Sequence, residues 1–238
     1  MAGSNWDWAD LNFFMSDPEI EGRSSRRLHY PENNPGESGP TVARGFDIGQ
    51  HSIQDLNRIF NPKKDSVLIS KLAPFAGKTG REAWNLVLNN RNTFILTPQE
   101  ENTIIEKVLK SKVSPVIKAF NEDTKIGAEF KDLPFGLKNI ITSVGYHMGI
   151  DGIRDTNFWN QITTGKWSEL EKNMDAFGMG KEVDGKWVVD ESGNRRRKKE
   201  WKKSGLTVDF LNKWQESKTE SRLINNWYKE DNPLETSR

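Results

Sequence analysis

The 238-residue sequence lacks cysteine, a long apolar run and a net charge of any size, and each absence excludes a class of protein. Without cysteine there is no disulfide framework and no thiolate metal site. Without a run of about 18 apolar residues, no membrane-spanning helix is expected. A net charge of +1 gives no general attraction to nucleic acid or to an anionic membrane. Nine Trp and twelve Phe nevertheless supply material for a hydrophobic core.

The first 20 residues contain no basic region followed by an apolar stretch, and Asp7 and Asp10 interrupt them. We therefore expect no secretory signal peptide and expect synthesis in the cytoplasm. Residues 1–14 are interpreted as an N-terminal arm or a cloning remnant, and residues 15–238 as one domain.

Turn-forming residues are concentrated near the front of the chain, and helical periodicity dominates after them. Residues 23–50 are rich in Gly and Pro, which predicts turns and short strands. A capping box, with Thr97 before Pro98 and Glu100, predicts the start of a helix. Residues 181–194 predict an inserted hairpin that turns at an Asp-Gly pair. The pattern indicates a mostly helical α+β fold with a small N-terminal β segment and a helical C-terminal lobe.

Three patterns that suggest other functions are weak. The GKTG segment at 77–80 lacks the earlier glycine of a phosphate-binding loop. The basic run at 195–203 is typical of a solvated helix face rather than of a nucleic-acid site. The three histidines are too scattered in the sequence to predict a metal site, and we expect no metal and no organic cofactor.

The opening stretch also carries acids in a setting that suits hydrolysis of a glycosidic bond. Such hydrolysis needs a carboxylic acid that protonates the leaving oxygen and a second group that holds or activates water. Glu21, followed by a glycine, suits the first role. Thr41 offers a hydroxyl to a water molecule, and Asp47 follows between two glycines. On residue types alone, solvated loop acids explain the same pattern.

A set of motifs in a fixed order gives this stretch a family resemblance. The order is Glu21-Gly22, Tyr30-Pro31, the segment SGPTVARGFDIG at 38–49, and then the helix start at 96–100. The segments that follow in the same order are 137–149, 158–177 and the Arg-rich helix start at 194–200. This arrangement, over about residues 15–215, resembles the phage-type lysozymes, and within them the branch that includes the bacteriocin pesticin. Ala43 departs from the family pattern, which usually has Gly there.

The resemblance implies a two-lobe lysozyme-like fold and an inverting N-acetylmuramidase. Glu21 would be the general acid, and Thr41 would orient the attacking water. The second carboxylate would be Asp47 or Glu32, and we favour Asp47 because Glu32 lies in a loop rich in Asn, Pro and Gly. Tyr30 and His147 are expected to contact the sugar, although a structural helix-end histidine explains His147 equally well.

The resemblance implies peptidoglycan glycan strands as the substrate, with no nucleic-acid partner and no membrane span. A lytic transglycosylase and a non-catalytic wall-binding module remain alternatives. We expect action in the periplasm or on the cell wall after delivery or release, as a bacteriolytic toxin or a phage endolysin. An immunity protein or a secretion carrier would be a further partner.

Overall fold

The computed structural model describes residue 17 and residues 24–31, 36–178, 180–183, 186–189 and 191–231. Within these ranges the chain forms two compact units, one in Met15–Lys112 and the other in Val113–Arg238. No helix in the described part of the chain is both long and apolar enough to cross a membrane. The boundaries between the N-terminal arm, the domain and its insertion stay predictions.

The first unit contains a small antiparallel sheet of three strands in the order β1-β2-β3. The strands are β1 (Ser25–His29), β2 (Thr41–Ala43) and β3 (Phe46–Asp47). In this register Thr41 lies opposite both His29 and Asp47. One side of the sheet supplies core residues, and these are Leu28, Val42 and Phe46. The turn-rich segment of the sequence therefore folds into the short strands that its pattern predicts.

Helices follow the sheet in the first unit. They are α1 (Ile53–Ile59), α2 (Ser66–Leu72), α3 (Gly80–Asn90) and the first part of α4 (Pro98–Asp123). The predicted capping box at the start of α4 is confirmed. The Thr97 hydroxyl accepts from the Glu100 amide at 3.1 Å, and the Glu100 carboxylate accepts from the Thr97 amide at 2.7 Å.

The second unit is helical apart from one hairpin. Its helices after α4 are α5 (Phe135–Ile153), α6 (Asn157–Thr164), α7 (Trp167–Asp175), α8 (Glu191–Ser204) and α9 (Val208–Asp231). Strands β4 (Gly180–Val183) and β5 (Lys186–Val189) pair in antiparallel register, so the predicted hairpin is present. It ends earlier than predicted, because residues 191–194 already belong to α8. The Asp-Gly turn itself lies outside the described residues.

Helix α5 is the central buried helix of the second unit, with most of its residues inaccessible to solvent. The apolar residues of 134–149 recur at helical spacing, which predicts a helix that ends at Gly149, and a further helical stretch runs from there to Ile153. The backbone breaks at Gly149, where φ is 68° and ψ is 173°. A positive φ of this kind favours glycine, since other residues place Cβ too close to the following carbonyl. Together the two units confirm a mostly helical α+β fold with a small N-terminal sheet.

Candidate active site

Thr41 is the centre of a row of three residues on one face of the sheet. Residues directly opposite each other in an antiparallel pair project to the same face. Thr41 is opposite His29 on one side and opposite Asp47 on the other, so the three side chains share that face. The Thr41 side chain is buried, with 3% exposure, and its hydroxyl donates to the Gly39 carbonyl at 3.1 Å. The hydroxyl oxygen therefore offers its lone pairs, rather than its proton, to any further partner.

The Asp47 carboxylate is held by backbone amides of the loop around it. Oδ1 accepts from Gly39 at 3.1 Å and from Gly49 at 3.0 Å, and Oδ2 accepts from Gly39 at 2.9 Å. The contact with Gly49 also caps the 3-10 turn Ile48–Gln50. A carboxylate has about four acceptor positions. Within the described residues these three contacts leave one position, on Oδ2, that suits a water molecule.

Gly39 and Gly49 are needed where they are because the backbone is packed against them. A methyl group on Gly49 would lie 2.1 Å from the Lys78 carbonyl oxygen and 2.6 Å from the Gly39 Cα. A methyl group on Gly39 would lie 2.4 Å from the Gly49 Cα and 2.5 Å from Asp47 Oδ1. The GKTG segment thus packs against the loop that carries Asp47, which explains the motif without a nucleotide.

His29 and His51 both lie within electrostatic reach of Asp47. Burial lowers the pKa of His29 below its ordinary value, against opposing contributions from the Arg27 backbone and from Asp47. Burial also lowers the pKa of His51, with a smaller contribution from Lys112, while Asp55 and Asp47 act in the opposite direction. The His51 ring stacks on Phe46 with 4.9 Å between ring centroids. Both imidazoles are therefore expected to be neutral at neutral pH.

Tyr30 follows β1 and is tied to the loop after it. Its hydroxyl accepts from the Gly36 amide at 3.0 Å and donates to the Gly36 carbonyl at 3.3 Å. Its ring meets Trp84 edge to face, with 5.4 Å between centroids. The aromatic face, rather than the hydroxyl, is the part that suits contact with a sugar. The predicted role of Tyr30 stays a prediction.

His147 lies in the second unit, on α5, and protein groups engage both of its ring nitrogens. Nδ1 is 2.7 Å from the Ser143 carbonyl oxygen, and Nε2 contacts the Arg196 guanidinium. Arginine can only donate, so Nε2 accepts from Arg196, and Nδ1 also lies 3.1 Å from Arg197 Nη2. Because these positions are occupied, the contacts support the structural interpretation of His147. Its contact with a sugar stays a prediction.

A buried ion pair lies beside His147 and explains part of the basic run. The side chains of Arg197 and Glu200 are both 0% exposed, and Arg197 Nη1 is 2.5 Å from Glu200 Oε2. The Ser143 hydroxyl donates to Glu200 Oε1 at 2.5 Å and accepts from Arg197 at 3.1 Å. The pair therefore joins α8 to α5. At Arg197 the run is therefore buried and structural, so the solvated helix face that the sequence predicts is wrong for this residue.

Two of the predicted acids, Glu21 and Glu32, lie outside the described residues, so their roles stay predictions. Of the other predicted residues, the structure brings Thr41 and Asp47 together on the sheet, with Tyr30 following β1 in the same unit. Sequence reasoning missed His29 as a neighbour of Thr41, because strand pairing is not written in the local sequence. Among the described residues, no cluster of His, Asp or Glu could hold a metal ion.

Comparison with known proteins supports a lysozyme-like α+β fold for this chain. The family model described as Pesticin, a bacterial toxin homologue of phage lysozyme (C-terminal part), matches residues 9–168. The chain belongs to this family. The match contains every predicted site residue, whereas the resemblance expected beyond residue 168 stays a prediction.

Among solved structures, the chain is similar to the muramidase domain of SpmX from Asticaccaulis excentricus. The TM-score is 0.47 and the sequence identity 14%, and the alignment covers 84% of this chain and 97% of that one. No curated protein matches the chain.

Proposed function

We propose that the protein is an N-acetylmuramidase that cleaves the β-1,4 bond between N-acetylmuramic acid and N-acetylglucosamine in peptidoglycan. The observation that carries this proposal is the pairing of Thr41 and Asp47 on one sheet face, in a chain of the pesticin and phage-lysozyme family. Among the described residues, the Thr41 hydroxyl keeps its lone pairs free beside a carboxylate with one remaining acceptor position. A water molecule can donate one hydrogen to the Thr41 hydroxyl oxygen and the other to the Asp47 carboxylate, and these two bonds would fix its orientation.

In the proposed reaction Glu21 gives its proton to the glycosidic oxygen as the bond to the anomeric carbon breaks. Water attacks that carbon from the opposite face and gives up a proton to Asp47, or to Glu32. Because the hydroxyl proton of Thr41 is directed to Gly39, Thr41 accepts a hydrogen bond from the water and turns a water lone pair towards the sugar. This route inverts the anomeric centre and requires the two carboxyl groups to stand about 6.5–9.5 Å apart.

We further propose that the enzyme acts as a bacteriolytic toxin or an endolysin, in the periplasm or on the cell wall. The family description, a bacterial toxin homologue of phage lysozyme, supports both settings. Delivery by a secretion carrier and protection by an immunity protein would belong to the toxin setting. Peptidoglycan strands are the substrate that fits the family.

The rate at which purified peptidoglycan is solubilised tests the assignment of the acids. Glu21→Gln should reduce the rate by about 1,000-fold or more, because the isosteric amide cannot supply the proton. Glu19→Gln, the same change two residues earlier, is the matched control and should leave the rate unchanged. Asp47→Asn and Glu32→Gln should differ, and the slower variant identifies the second carboxylate. A fully active Glu21→Gln would contradict the proposed mechanism.

A further inference from the structure

His29 occupies a position in the sheet that the proposed reaction does not yet use. It is the last residue of β1 and lies directly opposite Thr41, which in turn lies opposite Asp47. The Cβ atoms of directly opposite residues are about 4.5–5.5 Å apart. The three side chains therefore form a continuous row, in which Thr41 has an imidazole on one side and a carboxylate on the other.

The charge state of His29 depends on the same row. Burial favours the neutral imidazole, whereas the Asp47 carboxylate and the Arg27 backbone favour the imidazolium. A neutral ring keeps a lone pair on one nitrogen and a proton on the other. A positive charge at His29 would attract the carboxylate that now accepts from the Gly39 and Gly49 amides. The neutral form thus leaves the Asp47 carboxylate in its amide-bound position.

One polar atom of His29, the Nδ1 nitrogen, does not benefit the stability of the fold. This atom is buried and has no hydrogen-bond partner within the described part of the chain. A buried polar atom without a partner costs about 1–3 kcal/mol. An apolar side chain of similar size would avoid that cost. An imidazole at this position is therefore better explained by function than by packing.

We propose that His29 is a positioning residue of the site, which fixes the Thr41 side chain and the Asp47 carboxylate for the attacking water. This inference rests on the proposed muramidase function. His29 acts through its two neighbours in the row and does not itself exchange a proton with the substrate. His29 thereby brings β1 into the part of the site that Thr41 on β2 and Asp47 on β3 form.

His29→Leu separates this role from a structural one. The variant removes the buried nitrogen, so its melting temperature should equal or exceed that of the wild type. Its kcat on soluble peptidoglycan fragments should fall about 10- to 100-fold with little change in KM, since a misplaced water slows the reaction rather than binding. His29→Asn restores a polar atom near the position of Nδ1 and should recover part of the lost kcat.

His51→Leu is the matched control, because His51 is also a half-buried histidine within reach of Asp47 but lies outside the row. Its kcat should stay within about twofold of the wild type, as expected for a residue away from the reacting groups. A second readout needs no substrate: NMR titration of the His29 imidazole in Asp47→Asn should give a lower pKa than in the wild type, because the carboxylate raises it.

The outcomes distinguish the two proposals. Any one of three results would overturn the role of His29 alone. These are full activity of His29→Leu, a fall in the melting temperature of this variant that parallels its loss of activity, and a His29 pKa that is the same in Asp47→Asn as in the wild type. A folded wild type that never cuts glycan would overturn the muramidase function and the role of His29 with it.

Discussion

At the scale of a single residue, Ala43 combines a departure from the family pattern with an unusual backbone conformation. Its φ is 50°, the only positive value among the non-glycine residues that the structure describes. Its side chain is buried at the end of β2, two residues from Thr41. The left-handed conformation costs a residue with Cβ about 1–2 kcal/mol relative to glycine. The resemblance to phage-type lysozymes predicts a glycine in place of Ala43, and the positive φ gives a physical reason for that preference.

Ala43→Gly is therefore expected to stabilise the protein by up to about 1 kcal/mol, since the strain that it relieves exceeds the loss of one buried methyl group. Urea denaturation monitored by Trp fluorescence would measure the change. Ala83→Gly is the matched control in the interior of α3, where the helix cost of glycine and the loss of a buried methyl group add, and the substitution should destabilise by about 1–2 kcal/mol. A loss of stability in Ala43→Gly would contradict this account of the β2–β3 turn.

For Asp47, the sequence predicts a functional role but not the contacts that hold its side chain. Its type and its flanking glycines predict a functional acid, and the structure places it opposite Thr41. The contacts with the Gly39 and Gly49 amides were not predictable, because they depend on how the loop closes against residue 78. The same residue thus holds the loop together and, in our proposal, faces the water.

Helix α4 illustrates what is predictable at the scale of an element. The capping box at its start follows from three local residues, and the structure confirms it. The partner of Glu100 on α2 is not local: Lys71 lies 2.8 Å from the Glu100 carboxylate. Burial opposes ionisation of Glu100, but hydrogen bonds from Lys71 and Thr97 outweigh it, so the pKa lies below the ordinary value of 4.5.

A depressed carboxylate pKa contributes stability above the pKa of the unfolded chain, and that stability is lost as pH falls through the folded value. Glu100→Gln keeps an acceptor for the cap but removes the charge. It should cost about 1 kcal/mol at pH 7, and the difference from the wild type should shrink as the pH falls below about 4.5. Glu106→Gln, whose Lys110 partner is more exposed, should change stability by less than about 0.5 kcal/mol. A pH-independent effect of Glu100→Gln would contradict the assignment.

The contact between α5 and α8 depends on a buried arginine that the sequence pattern does not identify. The sequence reveals a run of basic residues, but it does not reveal which of them turns inward. Arg197 does so because Glu200 and Ser143 both accept from its Nη1 group, while Lys198 pairs with Asp175 at the surface. Burial of a charge is tolerated only where a partner is present, and that partner is supplied partly by another helix.

Removal of one member of this pair should be far more costly than removal of both. Glu200→Ala leaves the Arg197 charge buried and should destabilise the protein by about 3–5 kcal/mol. The double variant Arg197→Met/Glu200→Leu should recover most of that loss, because it removes both buried charges. Chemical denaturation of Arg197→Met, Glu200→Leu and the double variant, with Glu200→Ala alongside, gives the comparison. Additive losses would show that the two side chains do not interact.

At the scale of the whole molecule, the order of several short motifs predicted the family, although no single motif did so. Separate stretches of the chain, none decisive alone, placed it in a family whose model matches residues 9–168. The balance of strands and helices also followed from the sequence, since Gly and Pro are concentrated before residue 50. The two lobes that the resemblance implies are present as two compact units, but the boundary between them after Lys112, inside α4, was not predictable from the local sequence.

We propose that this protein hydrolyses the glycan of peptidoglycan, and mass spectrometry of its digestion products is the decisive test. Purified peptidoglycan would be treated with the wild type and with Glu21→Gln under the same conditions. The account predicts reducing N-acetylmuramic acid ends from the wild type and none from the variant. Anhydromuramic ends would indicate a lytic transglycosylase instead. Intact glycan in the presence of a folded, wall-binding wild type would contradict the account.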